Sequence, residues 1–316
     1  MATGHGRTRT VSAPGQTVPP GVRWYRHRFC CGILGQDFIL KIRMTTPQEM
    51  PLIKAVADLT MKVARPLLWY DVRASWPTYL PGATCFILRF NTGLIGVTAD
   101  HVITAFEKAK RQAGETVSLL RTAHFDLSGA IIDRDAELDL ATFSVTEGQL
   151  IESEAVAADC RAEWPPPIPD EGKAITFAGY PECLRVGTWP HGREFRAFAD
   201  VTWVQDVTDR YIVATFEPKR DIRVLAAPDI PELGANWSGC SGGPVLMHIE
   251  RNGFHRWFPV GMIVEGRGKP RDGEMPDGEM QEFDRFLFRR LDFLNANGSI
   301  IKNPNAGWLP PGSGSH

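Results

Sequence analysis

The 316-residue chain lacks several features, and each absence narrows what it can be. It has no uninterrupted apolar run of the roughly 18 residues that a membrane-spanning helix needs, so no membrane partner is expected. It has little net charge. Its 35 basic and 37 acidic residues leave −2, which makes no electrostatic case for a nucleic-acid partner. The six cysteines (Cys30, Cys31, Cys85, Cys160, Cys183 and Cys240) include no Cys-x-x-Cys pair, so no metal is expected. The N-terminal "MATGHGRTRTVSAPGQTVPPG" lacks the apolar core of a secretory signal. Reduced thiols and a cytoplasmic location are therefore the expectation. No solenoid-length repeat is visible.

The composition that remains is that of a globular protein, 43% hydrophobic and 23% charged. Residues 1–43 carry seven Lys/Arg and one acid, Asp37, and read as a disordered basic arm. Residues 44–78 read as a helical extension with a helix over 50–68. Pro47, Gln48 and Glu49 behind Thr45 and Thr46 form its cap. From about residue 79 the chain becomes short apolar runs broken by turns, such as "ATCFILRF", "NTG" and "LIGVTAD". A proline-rich connector, "EWPPPIPDEG" at 163–172, divides these runs into two groups, 79–162 and 173–282. Many short strands at near-regular spacing predict an all-β fold of two β units. Residues 283–296 carry Phe283, Phe286, Leu287, Leu291 and Leu294 at helical spacing, with Gly298 beyond, and predict a C-terminal helix before a tail, 297–316. Residues 266–282 read as a polar Gly/Pro-rich loop.

The most informative stretch is "NWSGCSGGPVL", residues 236–246. Three glycines and a proline close to Ser241 oppose a helix and suit a tight loop. Gly239, Ser241 and Gly243 fit the G-x-S-x-G elbow of α/β-hydrolases, but that design needs a helix after the serine and a later acid and histidine. Gly242-Gly243-Pro244 resists the helix. His248 and His255 follow too soon, and His316 ends the chain. The order His…Asp…Ser fits better. "GVTADHVI" places His101 after an apolar run, and "ELDLATFSV" places Asp139 at the head of another, with Asp126 in "HFDLSG" as the second candidate acid.

These segments together resemble the trypsin-like, chymotrypsin-fold serine peptidases of bacterial type. "TADHV" is similar to the family's T-A-A-H, "DLAT" to D-I-A-L, "GCSGGPV" to G-D-S-G-G-P, and "VGMIVEG" to the strand lining the specificity pocket. "FAGYP" resembles compact bacterial members, and the likeness spans about residues 78–296. It implies two six-stranded antiparallel β-barrels with His101 and Asp139 on the first and Ser241 on the second. It implies a cofactor-free endopeptidase acting on a protein or peptide substrate. In that chemistry His101 accepts the serine proton, Asp139 orients the imidazole, and the backbone N–H groups of Gly239 and Ser241 form the oxyanion hole.

Departures from the family pattern matter too. Cys240 stands where Asp usually precedes the serine, which implies no zymogen activation through a new N-terminus and leaves room for a regulatory protein partner. Val102 replaces the cysteine after the histidine, so Cys85 lacks that disulfide partner. Ala235, six before the serine, argues against trypsin's basic preference. Glu265 and Gly266 are the other pocket candidates, with Glu265 favouring a basic side chain or pairing with Arg267. The competing reading is a catalytically silent trypsin-fold module that binds a peptide or partner protein.

Overall fold

The computed structural model describes residues 50–73, 82–113, 115–186, 194–216, 236–251, 254–267 and 284–302. Apart from Met50 they belong to one compact unit, Pro51–His316. The basic arm at 1–43, Ala235, most of the 266–282 loop and the end of the tail lie outside the described residues.

The fold is mostly β, with few helices. Helix α1 (Met50–Val63) runs directly into β1 (Ala64–Asp71), so the extension expected to be helical through residue 68 ends in a strand. Pro66 gives the physical reason: proline cannot continue a helix, and it disfavours helical backbone at the residue before it. Strands β2 (Gly82–Phe90), β3 (Gly93–Thr98), β4 (Thr116–Leu120), β5 (Ala123–Phe125), β6 (Ile131–Asp135), β7 (Leu140–Val145) and the short β8 (Ala158–Asp159) complete the first sheet. Its order is β5-β4-β1-β2-β3-β7-β6, with β8 beside β2. It is a curled half-barrel, and among the described residues its two end strands, β5 and β6, do not pair. Helix α2 (Asp100–Ala113) follows β3 and buries Val102, Ile103 and Phe106 against the sheet. Two shorter helices, α3 (Leu127–Ala130) and α4 (Glu147–Glu152), follow β5 and β7.

Residues 163–170 carry no strand or helix. Beyond them lie β9 (Ala174–Gly179), a two-stranded pair β10 (Arg185–Val186) and β11 (Glu194–Phe195), then β12 (Phe198–Val207), β13 (Tyr211–Phe216), β14 (Pro244–Arg251), β15 (Phe254–Arg267) and β16 (Asp284–Arg290). Six of these close an antiparallel barrel in the order β12-β13-β16-β15-β14-β9, with β9 returning to β12. Strand β16 corrects the expectation of a C-terminal helix at 283–296. It pairs with β13 and β15 on its two sides. Phe286 and Phe288 point into the barrel core, while Arg289 between them and the chain's end is also fully buried. The opposite face carries exposed Arg285, half-buried Leu287 and buried Arg289, so an apolar residue near solvent and a charged one inside blur the period-2 alternation of a half-exposed strand.

Two apolar clusters hold the unit together. One fills the barrel around Phe177, Phe286 and Phe288. The other lies on the first sheet around Phe86, Phe106 and Phe143 and continues into Leu246, Met262 and Leu291 of the second half. The two halves therefore share a core across their seam. Each fully buried phenylalanine contributes about 2 kcal/mol of transfer free energy. Among the described residues no helix is long and apolar enough to cross a membrane.

Candidate active site

The first half supplies an acid and a base. His101 is the second residue of α2, and Asp139 is the last residue of the turn between β6 and β7. That turn is built by its own side chain: the Asp135 carboxylate accepts from the N–H groups of Glu137 (2.9 Å) and Leu138 (2.8 Å). Leu138, fully buried, pins the loop to the core. Asp139 then takes a left-handed backbone (φ 51°), which aspartate tolerates better than most residues. Its carboxylate grips His101 twice. Oδ1 accepts from the His101 N–H at 2.9 Å, and Oδ2 lies 2.8 Å from His101 Nδ1. A carboxylate can only accept, so Nδ1 carries the proton and Nε2 is left with its lone pair.

A second brace fixes α2. Arg134 of β6 reaches Asp100 at 2.6 Å, Glu107 at 2.9 Å and Thr104 at 2.7 Å. Asp100 is almost fully buried in the first helical turn, where a negative charge suits the helix dipole.

The second half supplies the serine loop, residues 236–243. Asn236 Oδ1 accepts from the Ser238 N–H at 3.0 Å and starts the turn. Gly239 and Gly242 both have left-handed backbones, φ 93° and 87°. The amides between and after them are engaged: Cys240 donates to Trp237, Gly242 to Ile263 and Gly243 to Cys240. The amides of Gly239 and Ser241 donate to no described residue. These two N–H groups, with Cys240 between them, are left without an acceptor among the described residues. Cys240, between them, is buried in the barrel core, and burial pushes its thiol far up.

One residue ties the two halves at this point. Thr84 of β2 is completely buried. Its hydroxyl donates to the Gly239 carbonyl at 2.6 Å and accepts from the Tyr180 N–H at 2.9 Å. Its own N–H donates to the Ser241 carbonyl at 3.0 Å, and its carbonyl accepts from the Thr98 hydroxyl at 2.9 Å. The loop's carbonyls are thus drawn toward the first sheet. Gly242 is pressed so closely there that a Cβ on it would collide with the Thr84 carbonyl and the Thr98 hydroxyl. Thr98 lies only three residues before His101, so the serine loop docks beside the histidine's own strand. Sequence reading missed Thr84, because a lone threonine 155 residues from Gly239 carries no motif.

The Ser241 hydroxyl donates to the Val264 carbonyl at 3.5 Å, its one hydrogen bond among the described residues. A bulge in β15 between Ile263 and Glu265 turns Val264 out of the β16 ladder and toward the serine. Glu265 and Gly266 follow on the same strand. Asp126, the second candidate acid, instead lines a recess with Lys110, Ser118 and His124. His248 and His255 bond to each other across β14 and β15 at 2.9 Å.

The electrostatics follow the contacts. Burial alone would lower the His101 pKa, but the hydrogen bond and charge of Asp139, with the charge of Asp100, outweigh it and leave it raised. Burial alone would raise the Asp139 carboxyl. The His101 ring, the His101 amide and the charge of Arg289 outweigh it and hold the carboxyl below its ordinary value. Arg289 is buried in β16 with its guanidinium 4.1 Å above the Tyr211 ring. The cysteines Cys85, Cys160, Cys183 and Cys240 are all free thiols.

The described residues thus hold an ionised acid, an oriented base, and a serine whose own amide and that of Gly239 are unengaged. The chain matches no protein-family model and no curated protein.

Proposed function

We propose that the chain is a serine endopeptidase of chymotrypsin-like design. The observation that carries this reading is the pairing of two half-sites. One is an Asp139-oriented imidazole with Nε2 free. The other is a Ser241 loop whose Gly239 and Ser241 amides are unengaged, and Thr84 locks that loop against the strand that leads to His101.

In the proposed cycle Ser241 Oγ attacks the scissile carbonyl carbon while its proton passes to His101 Nε2. The carbonyl oxygen becomes an oxyanion held by the two amides, each such donor worth about 3 kcal/mol in the transition state. His101 then protonates the departing amine, leaving an acyl group on Ser241, and water with His101 as base releases it. Asp139 stays ionised throughout and stabilises the imidazolium. The reaction needs only these groups and water. The substrate is a protein or peptide; a regulatory protein partner is part of the proposal, because Cys240 removes the usual acid used in zymogen activation.

One observation favours the silent binding module instead: the Ser241 hydroxyl points at Val264 and not at the histidine. A rotation about the serine χ1 separates the two readings, and such contacts often tighten only when substrate binds. Digestion of an unstructured protein decides between them. Wild type is expected to cleave it and Ser241→Ala to leave it intact. A folded wild type that binds such peptides without cleaving them supports the binding module.

A further inference from the structure

The peptidase reading also fixes where a substrate side chain must go. The scissile oxygen has to reach the amides of Gly239 and Ser241, and its carbon the Ser241 hydroxyl. The side chain on the acyl side of that bond then faces the gap between residues 236–239 and residues 264–266, the two segments that flank the serine. This gap is filled by the protein itself. Trp237 is 3% exposed and Phe286 is 0% exposed. The indole meets the Phe286 ring edge-on, centroids 5.0 Å apart at 71°, and packs on Phe198 at 5.1 Å. From the opposite wall, a methyl group placed on Gly266 would come within 2.8 Å of Phe286 Cε1 and 3.0 Å of Trp237 Cβ. The two walls are therefore in contact, and even one extra carbon at Gly266 has to displace an aromatic ring.

We propose, on the basis of the peptidase reading, that this site accepts only a small residue (glycine, alanine or serine) on the acyl side of the bond it cleaves. Trp237 and Phe286 are the specificity-determining residues. They occupy the space that would hold a long or aromatic side chain, and they belong to the packed barrel core, so a larger substrate residue would have to open that core. The selectivity proposed here comes from shape.

The test uses the full chain, with active serine counted by titration with a fluorophosphonate. Fluorogenic peptides identical except for alanine, phenylalanine or arginine before the cleaved bond are compared by kcat/KM. Alanine is expected to lead by about a hundredfold, the scale on which pocket fit discriminates. Phe286→Ala, or the milder Phe286→Leu if alanine unfolds the barrel, is expected to raise the rate on the phenylalanine peptide and narrow the gap. If the titrated wild type cleaves phenylalanine or arginine peptides as fast as alanine peptides, the pocket inference is overturned and the peptidase reading stands. If no serine titrates in a folded chain, the peptidase reading fails, and this inference with it.

Discussion

Replacing Thr84 by valine tests the junction between the halves. Valine keeps the shape of threonine and removes only the hydroxyl. Two half-buried partners then lose their hydrogen bonds, the Gly239 carbonyl (2.6 Å) and the Tyr180 N–H (2.9 Å). Each polar group left unsatisfied costs about 1–3 kcal/mol, so the pair costs about 2–6 kcal/mol. Domains of this kind hold about 5–15 kcal/mol in all, so the variant folds but melts earlier. At about 2–4 °C per kcal/mol, Tm falls by at least about 4 °C. Function suffers further, because the Gly239 carbonyl is one of the ties that set the orientation of the serine loop. If one oxyanion donor drifts away, turnover falls by about 10²–10³. Thr84→Ser keeps the hydroxyl and recovers most of both losses. Thermal melting and peptide hydrolysis are measured on all three proteins. A valine variant that melts and turns over like wild type would refute the role assigned to Thr84.

Four further outcomes follow from the same contacts. The hydrolysis rate rises with pH through an inflection above the ordinary histidine value of 6.5, because Asp139 raises the pKa of His101. Asp139→Asn moves that inflection down and slows turnover by about 10⁴, and an unchanged inflection in the pH–rate profile contradicts the pairing. The same pair stabilises the fold in a defined window. The His101 contribution is complete below 6.5 and fades as pH rises through its raised value. The Asp139 contribution is complete above 3.8 and fades as pH falls through its lowered value. Denaturant melts of wild type against His101→Ala therefore differ most between 3.8 and 6.5. Arg134→Leu strands the buried Asp100 carboxylate and costs about 3 kcal/mol, read from urea melts; a loss under about 0.5 kcal/mol shows that the brace is not needed. Mass-mapped thiol labelling at neutral pH modifies exposed Cys183 and spares Cys85 and Cys160, whose thiols burial pushes to about 12, together with buried Cys240.

What was legible in the sequence was what local chemistry imposes. A glycine-rich turn, an Asp at a strand head and a His after a strand end each leave a short mark, and their order supplied the candidate residues. The β-rich character showed in the spacing of turns. The residues alone did not show that the second unit closes into a barrel while the first stays a half-barrel, because closure depends on which edges meet and not on any one strand; two full barrels were only what the resemblance implied. Strand β16 read as a helix because half-buried Leu287 and buried Arg289 on its second face blur the alternation, and Phe286, Leu287 and Leu291 also fit helical spacing. Strand β1 was hidden behind α1 because the helix passes into it without a loop, although Pro66 marked the stop. Thr84 and Arg289 were illegible for a different reason. Their roles come from partners distant in the chain, and no local pattern records those.

The most direct measurement of the central claim is the site of covalent labelling by a fluorophosphonate, mapped by peptide mass spectrometry on the folded chain. A reactive triad places the adduct on Ser241 alone, and His101→Ala abolishes it while the fold survives. A folded wild type that takes up no label, or a label on Ser241 that persists undiminished in His101→Ala, contradicts it.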